Sequence, residues 1–214
     1  MNFAEYNVKD ANLEEVLLAL KSLDTVEAVA LGGSRSTGAS DENSDYDIYV
    51  YCAEIPTAET RENLLGKYCS IAEFGNHYWE SEDNTVMNNG VPVDIIYREV
   101  DRFGRYIDTV IKGGKAFNGY TTAFWHNIKN SKVLFDKTGT FTKFRDMAQI
   151  DFPENLRSAI IKTNRQPFER KASVTDAFVK AVEENVMKWL TFHIQSFDRS
   201  VAEYKYMRDN AERL

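Results

Sequence analysis

Residues 32–51 read GGSRSTGASDENSDYDIYVY. Glycines and hydroxyls crowd one end of this stretch and two aspartates the other, with an apolar run on each side. VEAVALGG (26–33) reads as a short buried strand running into a glycine turn, and DIYVYC (47–52) as a second strand. Polarity placed between two buried strands marks a loop that meets something polar. Gly32 and Gly33 allow a sharp turn and close approach of the backbone to a ligand, while Ser34 and the following amides face whatever sits above the next helix. That arrangement suits phosphate. Asp45 and Asp47 lie two apart at a strand start, so their side chains leave the same face and can share divalent cations.

Two familiar loops are excluded by single residues. GSRSTGAS (33–40) has the glycine spacing of a P-loop, but Ala39 stands where the lysine should follow Gly38. Asp41, Asn43, Asp45 and Asp47 alternate like calcium-loop ligands, yet Tyr46 occupies the glycine position and Cys52 that of the bidentate glutamate.

Working outward, ANLEEVLLALKSL (11–23) places Leu13, Val16, Leu17 and Leu20 at helical spacing, with Asp10 or Asn12 as a cap. TAETRENLLGKYC (57–69) reads as a second helix, and TVMNNGVPVDIIY (85–97) as a hairpin about Asn88-Asn89-Gly90. Asp94 sits inside the apolar arm VPVDIIY, where a lone buried carboxylate is costly without a cation or hydrogen-bond partners. If its strand lies beside that of Asp47, three carboxylates converge next to the glycine loop, the layout of two-metal phosphoryl or nucleotidyl transfer. Beyond residue 99 helical patterns follow one another, at 99–112, 121–130, 140–148, 154–165, 174–192 and 197–212, with only KVLFD (132–136) extended. The glycine-rich KGGKAFNGY (112–120) is the best boundary. The expectation is an α/β (α+β) protein, with a small mixed-sheet core over 1–115 and a mostly helical domain over 116–214.

An apolar strand, Gly-Gly-Ser, ten residues, Asp-Tyr-Asp-Ile and then a distant apolar-Asp-apolar strand resembles the nucleotidyltransferases of the DNA polymerase β superfamily. Within it the chain is most similar to the small bacterial members that include aminoglycoside and lincosamide adenylyltransferases, and VLFDKTGTFTKF (133–144) resembles the region just past their core. The resemblance implies a small mixed-sheet nucleotidyltransferase core. It also implies that Gly33 and Ser34 hold the β and γ phosphates of a nucleoside triphosphate, ATP by preference. Asp45 and Asp47 would bind two Mg²⁺ ions and Asp94 would complete the one nearer the acceptor, a small hydroxylated molecule. Arg35 is a phosphate contact in this scheme. Asp94 can accept the acceptor's proton, with Glu99 and Asp101 as rivals. The other reading is an antitoxin-like or regulatory nucleotide-binding partner of a helical protein, which modifies that protein or is catalytically silent.

Composition bounds these readings. The 214 residues, 43% hydrophobic, are enough for a substantial core. No run approaches the roughly 18 apolar residues of a membrane span, and MNFAEYNVKD lacks the pattern of a secretory signal, so the expectation is a cytoplasmic protein without membrane contact. Cys52 and Cys69 have no metal-like spacing and read as small core residues. Residues 1–100 carry 6 Lys+Arg against 19 Asp+Glu, and residues 101–214 carry 20 against 14. An acidic half of that kind argues against nucleic acid as main partner and is compatible with a metal site. His77, His126 and His193 are isolated and read as ordinary surface or core histidines. Phe178, Val182, Val186, Trp189 and Phe192 read as a packing stripe, and Arg165, Arg170 and Lys171 as a solvated face. The last helix, with Val201, Tyr204 and Met207 on one side, leaves a homodimer open.

Overall fold

The computed structural model describes residues 10–38, 40–41, 44–77, 80–117 and 121–169, with 164–169 described only as part of a helix. The sequence-predicted helices at 174–192 and 197–212, their aromatic stripe and His193 lie outside the described residues, as do Arg170, Lys171 and the side chain of Arg165. Two compact units divide the chain, the first ending at Ile160. The expected boundary at 115/116 falls inside that first unit.

Asp10 starts the first helix, α1 (Ala11–Ser22), its Oδ1 accepting from the amides of Asn12 at 3.0 Å and Leu13 at 3.2 Å. Leu13, Val16, Leu17 and Leu20 are the buried stripe of this helix, each worth roughly 1.5–3 kcal/mol against exposure. There follow β1 (Val26–Leu31), the one-turn α2 (Gly33–Thr37), β2 (Tyr46–Cys52), α3 (Ala58–Leu65), β3 (Cys69–His77), β4 (Ser81–Met87), β5 (Pro92–Glu99) and α4 (Val100–Ile107). After a π-helical turn come α5 (Ala123–Asn130), β6 (Lys132–Asp136), α6 (Thr140–Ala148) and α7 (Glu154–Glu169). The strands form one mixed sheet in the order β3-β4-β5-β2-β1-β6. Only β2 and β5 run parallel; the other pairs are antiparallel. The expected mixed α/β class is therefore what forms.

Strand alternation sends side chains to two cores. On one face Val29, Leu31, Ile48, Val50, Val93 and Ile95 pack against α1 and Leu65 of α3. On the other, Ala28, Ala30, Tyr49, Tyr51 and Ile96 meet Phe103, Phe124, Trp125, Phe141 and Phe144 from α4, α5 and α6. Tyr51 sits among Phe103, Phe141 and Phe144 with ring centroids 5.2–5.9 Å apart. Residues 116–160 thus supply β6 at one edge of the sheet and a helical layer over it, rather than a body apart from it.

Two sequence expectations are corrected. The predicted helix over 57–69 stops at Leu65, passes through a short 3-10 turn at Gly66–Tyr68, and yields to β3, which the sequence reading missed. The predicted hairpin is real but is two-thirds of a meander, because β3 pairs with its first arm. Cys52 is fully buried as expected and burial pushes its thiol up to about 12, whereas Cys69 is only half-buried.

Candidate active site

The site forms where β1 ends, β2 begins and β5 lies alongside. In the parallel register Asp47 is directly opposite Asp94, with Ile48 opposite Ile95 and Tyr49 opposite Ile96. Tyr49, Tyr51 and Ile96 belong to the core under α4–α6, so alternation puts Asp47 and Asp94 on that same face, at the strand ends. Asp45 precedes β2 on the incoming loop. The structure therefore brings both Asp45 and Asp94 into electrostatic reach of Asp47. The carboxyl of Asp47 is pushed from its ordinary 3.8 to about 6, first by burial, then by the charge of Asp45, then by that of Asp94. Among the described residues neither Asp47 nor Asp94 has a cation within ion-pair distance.

The glycine turn closes on this pair. The Gly32 amide donates to the Asp47 carbonyl at 2.8 Å, continuing the β1–β2 ladder by one bond. Gly33 has φ +60°, and a Cβ built on it would lie 1.7 Å from Asp47 Oδ2. No residue with a side chain fits there. A Cβ on Gly32 would lie 2.4 Å from the ring of Tyr49, so that position is closed too. Ser34 lines a small open cavity of about 190 Å³ together with Gly33, Ser36, Thr37, His126, Asn127 and Asn130. This lining has hydroxyls, amides and an imidazole but no carboxylate, although it borders the most acidic part of the chain.

Arg35 has partners of its own within the loop. Its guanidinium stacks 4.0 Å above the Tyr46 ring and its Nε donates to the carbonyls of Ser44 at 3.0 Å and Asp45 at 2.9 Å. It clamps the loop that delivers Asp45 and is not among the cavity residues. Of the two rivals to Asp94, Glu99 alternates onto the opposite face, across from Cys52, and Asp101 is exposed on α4.

Several neighbours were invisible in the sequence. Asn84 on β4 is the register partner of Asp94 and donates to its Oδ1 at 2.9 Å. Glu82, two residues earlier on the same face, is half-buried, and its carboxyl is raised by burial and then by the charge of Asp94. Arg98, buried on β5, stacks 4.4 Å from the Tyr49 ring and makes two 2.7 Å bonds to Glu80. Asn127 donates to the Tyr49 hydroxyl at 2.8 Å, which ties α5 to the strand carrying Asp47. His126 is an exposed residue on the cavity wall, 3.2 Å from Asn130 through Nδ1. Only the fold brings α5 beside α2, so no spacing could have signalled these contacts.

Among the described residues no group of three or more His, Cys, Asp or Glu converges closely enough to cage a metal ion, and no helix is long and apolar enough to cross a membrane. The donor set nonetheless has the chemistry of a hard-cation site: a carboxylate, Asp47, whose proton affinity is raised by burial and by the negative charges of Asp45 and Asp94. Mg²⁺ is commonly held by one or two carboxylates completed by water and substrate phosphates, so a full protein cage is not required.

Residues 13–117 match the family model described as a nucleotidyltransferase domain. That segment is a nucleotidyltransferase domain of the polymerase β-like superfamily. No curated protein matches it. Among solved structures it is similar to Cid1 in complex with its short product ApU, at 20% identity over 50% of this chain and 34% of that one, TM-score 0.36. It is also similar to a toxin-antitoxin with AMP-PNP, at 15% identity over 75% and 98%, TM-score 0.40. A further likeness is to Cid1 with the UTP analog UMPNPP, at 18% identity over 53% and 38%, TM-score 0.35. The chain spans little more than a third of the length of these Cid1 chains.

Proposed function

We propose that this protein moves a nucleoside monophosphate from a nucleoside triphosphate, ATP by preference, to a hydroxyl of a small antibiotic-like acceptor, with Asp45, Asp47 and Asp94 as the site. The observation that carries this reading is the pairing of Asp47 with Asp94 on adjacent parallel strands, with Gly33 pressed against the Asp47 carboxylate. Asp45 and Asp47 would hold two Mg²⁺ ions, and Asp94 would complete the one nearer the acceptor. When bound, such ions neutralise charge on the phosphates and lower the pKa of the acceptor hydroxyl. The chain's own residues do the placing. Gly33 lets the triphosphate approach the acids with no side chain between, and Ser34 presents a hydroxyl to the cavity beside them. Arg35 holds the backbone carbonyls of Ser44 and Asp45 and so steadies the loop that carries the Asp45 carboxylate. Asp94 would take the acceptor's proton, a reading supported by Glu99 lying on the opposite face of β5 and Asp101 being exposed on α4.

The test is a screen of the four triphosphates with Mg²⁺ against a library of hydroxylated acceptors, reading pyrophosphate and product mass. Asp45→Asn and Asp47→Asn are expected to abolish Mg²⁺-dependent pyrophosphate release while the protein stays folded. Unchanged turnover in either variant rejects the reading. Label appearing on a copurifying protein instead of a small molecule would favour the antitoxin-like alternative.

A further inference from the structure

β3 and β4 do not form a regular ladder. Glu73 pairs with Asn84 and Asn76 with Glu82, so three steps along β3 match two along β4. The extra residue is a β-bulge, and Gly75, at φ +85°, supplies the backbone conformation it needs. The bulge is anchored from beneath. The Gly75 amide donates to Asp83 Oδ1 at 2.9 Å, and the same oxygen meets Arg61 Nη1 at 2.9 Å, with both side chains buried.

A bulge reverses the alternation that follows it, so Asn76 emerges on the same face as Glu73 instead of the opposite one. There Asn76 Nδ2 donates to Asn84 Oδ1 at 2.7 Å and to Glu73 Oε2 at 3.3 Å. Asn84 Nδ2 in turn donates to Asp94 Oδ1 at 2.9 Å. The direction of this chain is fixed by chemistry. An ionised carboxylate only accepts, so Asn84 must turn its amide nitrogen to Asp94 and its oxygen to β3, where only a donor such as the Asn76 amide can satisfy it. Among the described residues the second oxygen of Asp94, Oδ2, has no donor.

We propose that Asn84 is a positioning residue for Asp94: with Asn76 behind it, re-aimed by the Gly75 bulge, it holds the Asp94 carboxylate by one oxygen and leaves the other for the metal and acceptor shared with Asp47. The inference rests on the role proposed above for Asp94. Hydrogen-bond partners of carboxylate ligands commonly carry about 10–100-fold of metal affinity or activity.

The experiment measures kcat, KM for the triphosphate, and the Kd of Mn²⁺ alone by electron paramagnetic resonance on the full chain. It compares Asn84→Ala, Asn84→Gln, Asn76→Ala, the Asn84→Ala/Asn76→Ala double variant and Asp94→Asn. Asn84→Ala is expected to lower kcat and Mn²⁺ affinity each about 10-fold or more, with KM changed less than about twofold. Asn84→Gln, which can still donate, recovers part of the loss. Asn76→Ala loses less than Asn84→Ala, and the double variant is no worse than Asn84→Ala, because both act through one bond to Asp94. Wild-type kcat and Mn²⁺ affinity in Asn84→Ala, or multiplicative losses in the double variant, overturn the inference while Asp94→Asn is inactive. Full turnover in Asp94→Asn would instead remove the role of Asp94 itself.

Discussion

Replacing Asp47 by Asn should make the metal-free protein more stable. Burial, Asp45 and Asp94 together raise the Asp47 carboxyl from 3.8 to about 6. At about 1.4 kcal/mol per pH unit that difference is about 3 kcal/mol, or 2–3 kcal/mol after allowance for solvent screening at a half-buried site. The sign follows from proton binding. The folded state holds the proton more tightly than the unfolded chain, so the penalty is complete above pH 6 and is relieved as pH falls through 6 toward 3.8. In EDTA at pH 7.5, Asp47→Asn should melt about 4–12 °C above wild type, at about 2–4 °C per kcal/mol for a chain of this size. By pH 4.5 the gap should close to about 1 kcal/mol or less. Added Mn²⁺ should raise the wild-type melting temperature and leave the variant unmoved. Scanning calorimetry at the two pH values reads all of this. A variant that melts at or below wild type at pH 7.5, by a margin that does not change with pH, would refute the account of Asp47 as an uncompensated acid.

Other perturbations have separable outcomes. Gly33→Ala forces a side chain into a left-handed backbone and into the Asp47 carboxylate, and should cost about 1–2 kcal/mol by urea titration while turnover falls further than that loss explains. Asp83→Ala strands Arg61 in the interior and should lower stability by about 3–5 kcal/mol in the same assay; a loss under about 1 kcal/mol would mean the pair does not anchor the bulge. Arg35→Ala frees the carbonyls of Ser44 and Asp45, so kcat should drop with melting temperature nearly unchanged, whereas a phosphate-binding role would appear as a raised KM for the triphosphate. EDTA should abolish pyrophosphate release, with Mg²⁺ restoring it.

The parts legible in the sequence were those whose physics is local. β1 and β2 are central strands, buried nearly throughout, and their unbroken apolar runs announced them. The placing of Asp47, Asp94 and Gly33 followed from strand parity and a glycine turn. β3 was missed because it is an edge strand, exposed from Ser70 to Glu73 and interrupted by a bulge, so it carries no period of two. The contacts of Arg35 were equally hidden, since nothing in the sequence places its guanidinium against the Tyr46 ring and the Ser44 carbonyl. Asn84, Asn127 and His126 depend on strands and helices that meet only in the folded chain.

The position of β6 limits how this protein can be cut. β1, which ends at the glycine turn, is flanked by β2 on one side and by β6 on the other, and β6 begins fifteen residues after the family match stops at 117. A truncation at that point would strip β1 of a hydrogen-bonded neighbour and uncover the aromatic layer, turning an interior strand into a sticky edge. The segment that carries the ancestry is therefore shorter than the smallest piece expected to fold, and excision experiments should keep the chain intact at least through α6.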